Sequence, residues 1–375
     1  MGPAGRGPMS DRPTWAVVTH AMLPNGPSHR LVQALLADGH DVAFCATPLP
    51  GASRWRAERM LAGAQAPKIL VDESRSVPPL RELRSAVDVT QFAWQLARSG
   101  CRDVVLVGCD PVSFLEAAMA FRTTPIRVRA NAVWFVDWSA QRLQHPATAG
   151  AYRWATRGAL RLADVTAAIS APAADALAKV GRPRSAIVVL ANQPLHLGTG
   201  PAWSERPLSV AYVGGLSEHQ GVDVLLRAAA ALGRDGVAVD IVGDGPASRT
   251  VAKTTADLPG VRFHGMVGDI GGLAGVLLPA RVGWALYDPA FPMHDFNDPL
   301  KIKDYLAAGL RVVSTLPRSV DDGVIVRAPC SVPAVLDATR RALAEPPPSE
   351  PSAHPLLVDA NRSLRAFVSA VHAVR

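Results

Sequence analysis

The chain has 375 residues, of which 49% are hydrophobic and 19% charged, and it carries a net charge of +7. That length exceeds one ordinary core and predicts two domains, and so apolar a composition excludes general disorder. No apolar run reaches the roughly 18 to 20 residues that span a bilayer, and the arginines that carry the charge are scattered rather than interleaved with aromatics, which argues against nucleic acid as a partner.

The opening "MGPAGRGPMSDRPT" lacks the apolar core of a signal peptide and reads as a flexible leader over residues 1–13, with Met9 an alternative start. "WAVVTHA" then reads as a buried strand, followed by a Gly/Pro loop and the helix "SHRLVQALLADG", in which Leu31, Val32, Leu35 and Leu36 recur at helical spacing. "HDVAFCAT", "PKILVD", "DVVLVG" and "IRVRANAVWFV" are the next strands. "ALRLADVTAAISAPAADALAKVG" gives a helix, a short strand beginning at Asp164 and another helix, before "AIVVLANQ" closes a first domain over 14–195. Alternating strands and helices predict a parallel sheet covered on both faces.

The Pro/Gly-rich "PLHLGTGPAWSERP" reads as a linker, centred on 196–206. Alternation restarts with "LSVAYVGGLSEHQGVDVLLRAAAAL" and continues through "VAVDIVGDGP", "VRFHGMVG", "RVGWALYDP", "NDPLKIKDYLAAGLRVVSTLP" and "GVIVRAP", a second domain over 207–345. "EPPPSEPSAHP" interrupts it before a last helix near Pro355 to Val374, so 346–375 reads as a Pro-rich segment and C-terminal helix. The fold class is α/β with two doubly wound domains. Ligands in such folds sit beyond the carboxyl ends of the strands, which directs attention to the loops after Gly214, Gly243, Tyr287 and Ser314. Cys45, Cys101, Cys109 and Cys330 have no metal-ligand spacing, so reduced core thiols are expected, and the lack of a bilayer-spanning run or a signal-peptide core leads to the expectation of a cytoplasmic protein.

"NDPLKIKDYLAAGLRVVSTLP", residues 297–317, packs the densest chemistry. Asn297 or Asp298 suits a cap, Pro299 the first helical position and Gly309 the left-handed residue after the last turn, which predicts a helix from about Pro299 to Ala308. Lys301 and Asp304 stand three apart near the positive end of the helix dipole. There a phosphate could use the free N–H groups and the Lys301 ammonium, while Asp304 could accept from a vicinal diol. The same spacing also suits a solvated surface helix with an internal ion pair. Gly214 and Gly215 end a strand before an amphipathic helix, where glycine lets backbone approach a phosphate or sugar. Gly243 and Gly245 form a second strand-end turn, equally suited to a plain turn or a ligand contact. Neither loop has the G-x-G-x-x-G spacing of a dinucleotide site.

Taken in order, "YVGGLSEHQGVDVLL", "VDIVGDGP", "VRFHGMV" and "PLKIKDYLAAGLRVVST" resemble the donor domain of the GT-B glycosyltransferases, in particular the group-4-like set. "PNGPSHRLVQALLADGHDV", "ADVTAAIS" and "VVLANQ" resemble pieces of that family's N-terminal domain. The resemblance covers most of residues 14–345. It implies two Rossmann-like domains facing each other across a cleft, with a nucleotide-diphosphate sugar on the C-terminal one and the acceptor on the other, and no metal or other cofactor. Carried over by position, Lys301 would contact the diphosphate and Asp304 the ribose. Gly214, Gly215 and Gly243 would lie at the donor, with Pro299 and Leu300 beside it, and backbone from His264 through Met266 to Val267 would face the base. This chain departs from the pattern at Gly215, where the family often has arginine, and at Gln220, where it often has lysine. Lys301 or Lys303 would then carry more of the phosphate load. Phe296 stands where the first of two glutamates eight apart is usual. Some relatives of the inverting glucuronosyltransferase type share a similar Pro-x-Lys pattern.

In the first domain Asp137, at the end of "WFVDWSAQR", is the candidate general base, with a helix cap or turn aspartate as the plainer alternative. His20 ends the first strand and is a second catalytic candidate. His29, opening the next helix, and Gly26 in the loop between are acceptor-binding candidates, although a histidine satisfied locally is the simpler reading. Asp110 before Pro111 reads most simply as a helix start, and Asp321 with Asp322 as loop caps. The expected function is transfer of a sugar, UDP- or TDP-linked, to a hydroxyl. A catalytically silent relative is the alternative that Gly215, Gln220 and Phe296 motivate, and a nicotinamide-dependent oxidoreductase lacks its fingerprint. The positive charge also permits loose attachment to an anionic membrane face. The Pro- and Arg-rich composition suggests a high-GC bacterial gene serving natural-product or polysaccharide synthesis.

Overall fold

The computed structural model describes residues 12–22, 26–48, 68–70, 80–136 and 146–374. The chain divides into two compact units, Met1–Ala191 with Ser363–Arg375, and Asn192–Arg362.

The first unit holds a seven-stranded parallel sheet in the order β3-β2-β1-β4-β5-β6-β7. Its strands are β1 (Thr14–Met22), β2 (Val42–Pro48), β3 (Lys68–Leu70), β4 (Asp103–Gly108), β5 (Arg127–Phe135), β6 (Val165–Ala168) and β7 (Ile187–Val189). Central strands such as β4 are apolar throughout because helices cover both faces. Steps from β3 through β4 and β5 to β6 all run in one direction, so right-handed crossovers place helices Leu80–Arg98, Pro111–Arg122 and Pro146–Leu162 side by side on one face. Phe92, Phe121, Leu106 and Ala117 pack the core between them and the sheet. β6 begins at Val165, one residue after the predicted start, because Asp164 is drawn off to accept from the Asn131 N–H at 2.8 Å.

The second unit holds a six-stranded parallel sheet in the order β10-β9-β8-β11-β12-β13. Its strands are β8 (Ser209–Val213), β9 (Ala238–Val242), β10 (Val261–Gly265), β11 (Val282–Ala285), β12 (Arg311–Ser314) and β13 (Ile325–Arg327). Tyr212, Leu225 and Trp284 pack one side of it and Ala285, Tyr305 and Leu306 the other. The Tyr305 ring lies against Gly283, where a Cβ would come within 2.3 Å of it, so the residue opposite the ring has to be glycine.

The segment read as a linker is structured within the second unit, and the division falls at Ala191/Asn192. Leu195 and Leu197 are buried in the core of that unit. Arg206 donates to the carbonyls of Ala280 at 2.9 Å, Ala308 at 3.0 Å and Gly309 at 3.2 Å, closing the C-terminus of the helix before Gly309. The last helix, Pro355–His372, belongs to the second unit as far as Arg362 and to the first from Ser363. There Phe367 is buried with its ring 6.1 Å from that of Trp15.

Candidate functional site

In the second unit the strand order reverses between β8 and β11, which pair at Val210 with Val282 and Ala211 with Gly283. β8 supplies Tyr212 and runs into Gly214 and Gly215, while β11 is followed by Tyr287. The Thr315 hydroxyl fixes Tyr287 by accepting from its N–H at 2.7 Å and donating to its carbonyl at 2.7 Å. The helix Leu300–Ala307 brings Lys301 into the same place.

These parts converge on the Lys301 ammonium. It donates to the Gln220 side-chain oxygen at 2.6 Å and to the Tyr212 hydroxyl at 3.4 Å, and lies 4.6 and 4.7 Å from the ring centres of Tyr212 and Tyr287. A Cβ on Gly214 would stand 2.8 Å from Nζ, so glycine is what admits the ammonium. Burial, with 8% of the residue exposed, lowers the Lys301 pKa to about 7. Burial also holds the Tyr212 hydroxyl far above its ordinary value, so it stays a donor, to the Gly215 carbonyl at 2.6 Å. A cation given neutral partners and two ring faces in place of a carboxylate still attracts an anion strongly.

The two glycine loops lie on each other. Gly214 N–H donates to the Val242 carbonyl at 3.0 Å and Gly243 N–H to the Gly265 carbonyl at 2.9 Å, extending the sheet order past the strand ends. Gly243 has φ 152°, and a Cβ there would fall 1.9 Å from the Gly214 carbonyl oxygen. Its glycine is thus accounted for by the turn and this contact.

The helix differs from its predicted form. It runs from Leu300 to Ala307, Pro299 is the N-cap rather than the first helical residue, and neither Asn297 nor Asp298 caps it. No side chain caps that N-terminus. Asp298 instead accepts from the Asn192 N–H at 2.6 Å and the Lys303 ammonium at 2.5 Å. Lys301, Lys303 and Asp304 are all buried, so the solvated-surface reading is overturned. Lys301 and Asp304 do not pair: Asp304 turns to the Leu195 N–H at 3.1 Å. Lys303, two positions from Lys301, points to Asp298 and the Asn192 carbonyl, so it is already engaged and leaves Lys301 as the ammonium at the glycine loop. Pro299 and Leu300 are half-buried at the helix start. His264 is exposed and bonded through Nε2 to Asp240 at 2.7 Å. Burial would raise the Asp240 pKa, but Arg262 and His264 together hold it below the usual carboxylate value. Met266 and Val267 are half-buried beyond Gly265.

The first unit has the same architecture at its own reversal, between β1 and β4, where Val18 pairs with Gly108. His20 and Asp110 stand just past that pair. Asp110 caps the following helix, its Oδ1 accepting from the Val112 and Ser113 N–H groups at 2.8 Å each, as the helix-start reading expects. The His20 Nε2 lies 2.7 Å from Glu116, which also accepts from the Ser85 hydroxyl at 3.0 Å. Gly26 is the buried N-cap of the helix Pro27–Ala37, and His29 is buried within that helix, so its side chain presents almost no surface to an acceptor. Asp137 lies outside the described residues. Among the described residues no three histidine, cysteine or carboxylate side chains gather to hold a metal ion.

Tyr212, Tyr287 and Glu116 were not anticipated from the sequence. The two tyrosines fall in apolar strand ends and read as core, and Glu116 sits inside a helix, where one carboxylate among apolar residues carries no signal until β1 is placed beside it.

Residues 207–345 match the family described as glycosyl transferases group 1. The whole chain is similar in structure to the Anabaena protein HepE solved with UDP and glucose, with 12% identity and a TM-score of 0.63, covering 95% of this chain and 98% of that one. It is also similar to a sucrose-phosphate synthase from Thermosynechococcus elongatus (14% identity, TM-score 0.60, 96% and 97% covered) and to a glycosyltransferase from Rickettsia africae (15%, 0.57, 96% and 94%). No curated protein matches it by sequence. Residues 207–345 therefore match the group 1 glycosyl transferases, in a chain that has the GT-B fold.

Proposed function

We propose that the protein transfers a sugar from a nucleoside diphosphate sugar to a hydroxyl group, with the second unit binding the donor and the first the acceptor. The observation that carries this reading is the buried Lys301 ammonium at the glycine loop, whose partners among the described residues are all neutral, beside a helix N-terminus that no described side chain caps. Both features suit a diphosphate, and neither asks for a metal ion. The resemblance in structure to HepE, which was solved with UDP and glucose, supports a uridine diphosphate as the carrier.

As the acceptor oxygen bonds to the anomeric carbon, the bond from that carbon to the diphosphate breaks and the leaving group gains negative charge. Lys301 and the helix end stabilise that charge. The acceptor proton passes to a base in the first unit. His20, polarised by Glu116, is the group whose geometry supports that role, and Asp137 is the second candidate. Calorimetry with UDP, TDP and GDP in a chelating buffer tests the donor half. Saturable binding of one nucleotide, followed by turnover of its sugar conjugate, is the expected result. Binding that is tight yet silent with every acceptor would favour a non-catalytic relative, which the mutual satisfaction of Gln220 and Lys301 makes the one alternative worth testing.

A further inference from the structure

All the large apolar side chains left exposed in the described part of the first unit fall on one helical layer. Val87 and Trp94 lie on Leu80–Arg98, Met119 on Pro111–Arg122, and Trp154 and Leu162 on Pro146–Leu162. Trp154 is 73% exposed and Met119 64%. The three helices lie side by side on one face of the sheet, with Ala171–Ala178 beyond them on the same face. Leu115 packs on Gly158, and the helices run parallel, so Met119 and Leu162 lie at the same level, each one turn beyond that contact.

Among its described side chains the exposed charge on this layer has one sign. Pro146–Leu162 contains no acidic residue, and its Arg153, Arg157 and Arg161 are exposed at four-residue spacing, one stripe along the helix beside Trp154 and Leu162. Its other side, Ala155, Thr156, Ala159 and Leu160, is buried. Arg98 and Arg122 are exposed on the neighbouring helices. Among the described side chains of the three helices the two acids, Asp88 and Glu116, are only half-buried or better, and Glu116 faces His20. These five arginines stand in no ion pair among the described residues, whereas Arg182, Arg206 and Arg311 are engaged with backbone carbonyls.

We propose that this layer is a docking surface for an anionic phospholipid bilayer. Exposed guanidinium groups meet lipid phosphates, and tryptophan, leucine and methionine between them enter the headgroup boundary, the composition of an interfacial helix. An acidic protein would satisfy the arginines but leaves unexplained why apolar side chains are spread over three helices with no carboxylate exposed among the described ones.

The test is co-sedimentation of the full chain with vesicles of phosphatidylcholine, with and without phosphatidylglycerol. The expected result is partition onto the phosphatidylglycerol vesicles only, weakening as salt rises. Arg153→Glu/Arg157→Glu/Arg161→Glu lowers that partition by at least about tenfold, given roughly fivefold per basic residue at a charged surface. Trp154→Ala lowers it several-fold with the melting temperature and nucleotide binding unchanged. Absence of partition onto phosphatidylglycerol, or wild-type partition by the triple variant, overturns the proposal. So does a Trp154→Ala variant that partitions normally while wild type binds heparin equally well, since that marks a surface for polyanions in general.

Discussion

The Lys301 ammonium and the Gln220 side-chain oxygen lie 2.6 Å apart, the shortest polar contact made by a lysine buried against two tyrosine rings. An amide dipole compensates only part of the cost of burying that charge. The native pKa, near 7, lies below the unfolded value of 10.5, so between those limits the unfolded chain binds more protons and stability rises with pH. Below pH 7 the cost is fully present, on the order of 5 kcal/mol at its limit. Lys301→Met should therefore melt at a higher temperature than wild type at pH 6, with the gap closing towards pH 10, as thermal unfolding across that range will show.

The same variant should lose the diphosphate. Removing one charge-assisted contact predicts a 10- to 100-fold weaker affinity for UDP. In the wild type, binding at pH 8 should draw a proton onto Lys301, since a nearby anion favours its charged form. Calorimetry in two buffers of different ionisation enthalpy reads that uptake directly. A stability gain without an affinity loss would place the nucleotide elsewhere.

Most of the fold was legible because it rests on period and punctuation. "VAYVGG" and "DVVLVG" are continuous apolar runs ending in glycine, and such runs occur where helices cover both faces of a parallel sheet. Lys301, Lys303 and Asp304 were harder, because three charged residues in eight read as a wet surface. In the folded unit each points to a different partner, Gln220, Asp298 and the Leu195 N–H. Those partners lie up to 109 positions away in the chain, and no local pattern encodes them. The linker was misjudged for a related reason: Leu195, Leu197 and Arg206 have their partners on distant elements.

Gly215 and Gly243 differ in what they tolerate. A Cβ on Gly215 would meet nothing closer than the Gln220 Cγ at 3.9 Å, whereas one on Gly243 meets the Gly214 carbonyl at 1.9 Å with φ at 152°. Gly243→Ala should cost about 3 kcal/mol through strain and overlap. Gly215→Arg should fold with wild-type stability and tighten UDP binding, because it adds a guanidinium beside Lys301. Urea unfolding and calorimetry on both variants check the contrast, and equal destabilisation would show the loop to be less open than its geometry states.

Tyr212 links the ammonium to the loop: its hydroxyl accepts from Lys301 and donates to the Gly215 carbonyl. Tyr212→Phe keeps the ring beneath Nζ but removes both bonds, and should cost about 1 to 2 kcal/mol of stability. Donor affinity should fall less than in Lys301→Met, since the charge remains.

Glu116 tests the first unit separately. It holds His20 at 2.7 Å, and its other partner, Ser85, is not part of the proposed chemistry. Glu116→Gln preserves the shape and can still accept from the imidazole, but it no longer stabilises the imidazolium that forms when His20 takes the acceptor proton. Turnover should fall by about 10- to 100-fold with the affinity for UDP unchanged, because the nucleotide is assigned to the other unit. His20→Ala should fall at least as far, and the double variant no further than His20→Ala alone, since Glu116 acts only through the imidazole. Additive losses in the double variant would separate the two residues and leave Asp137 as the base.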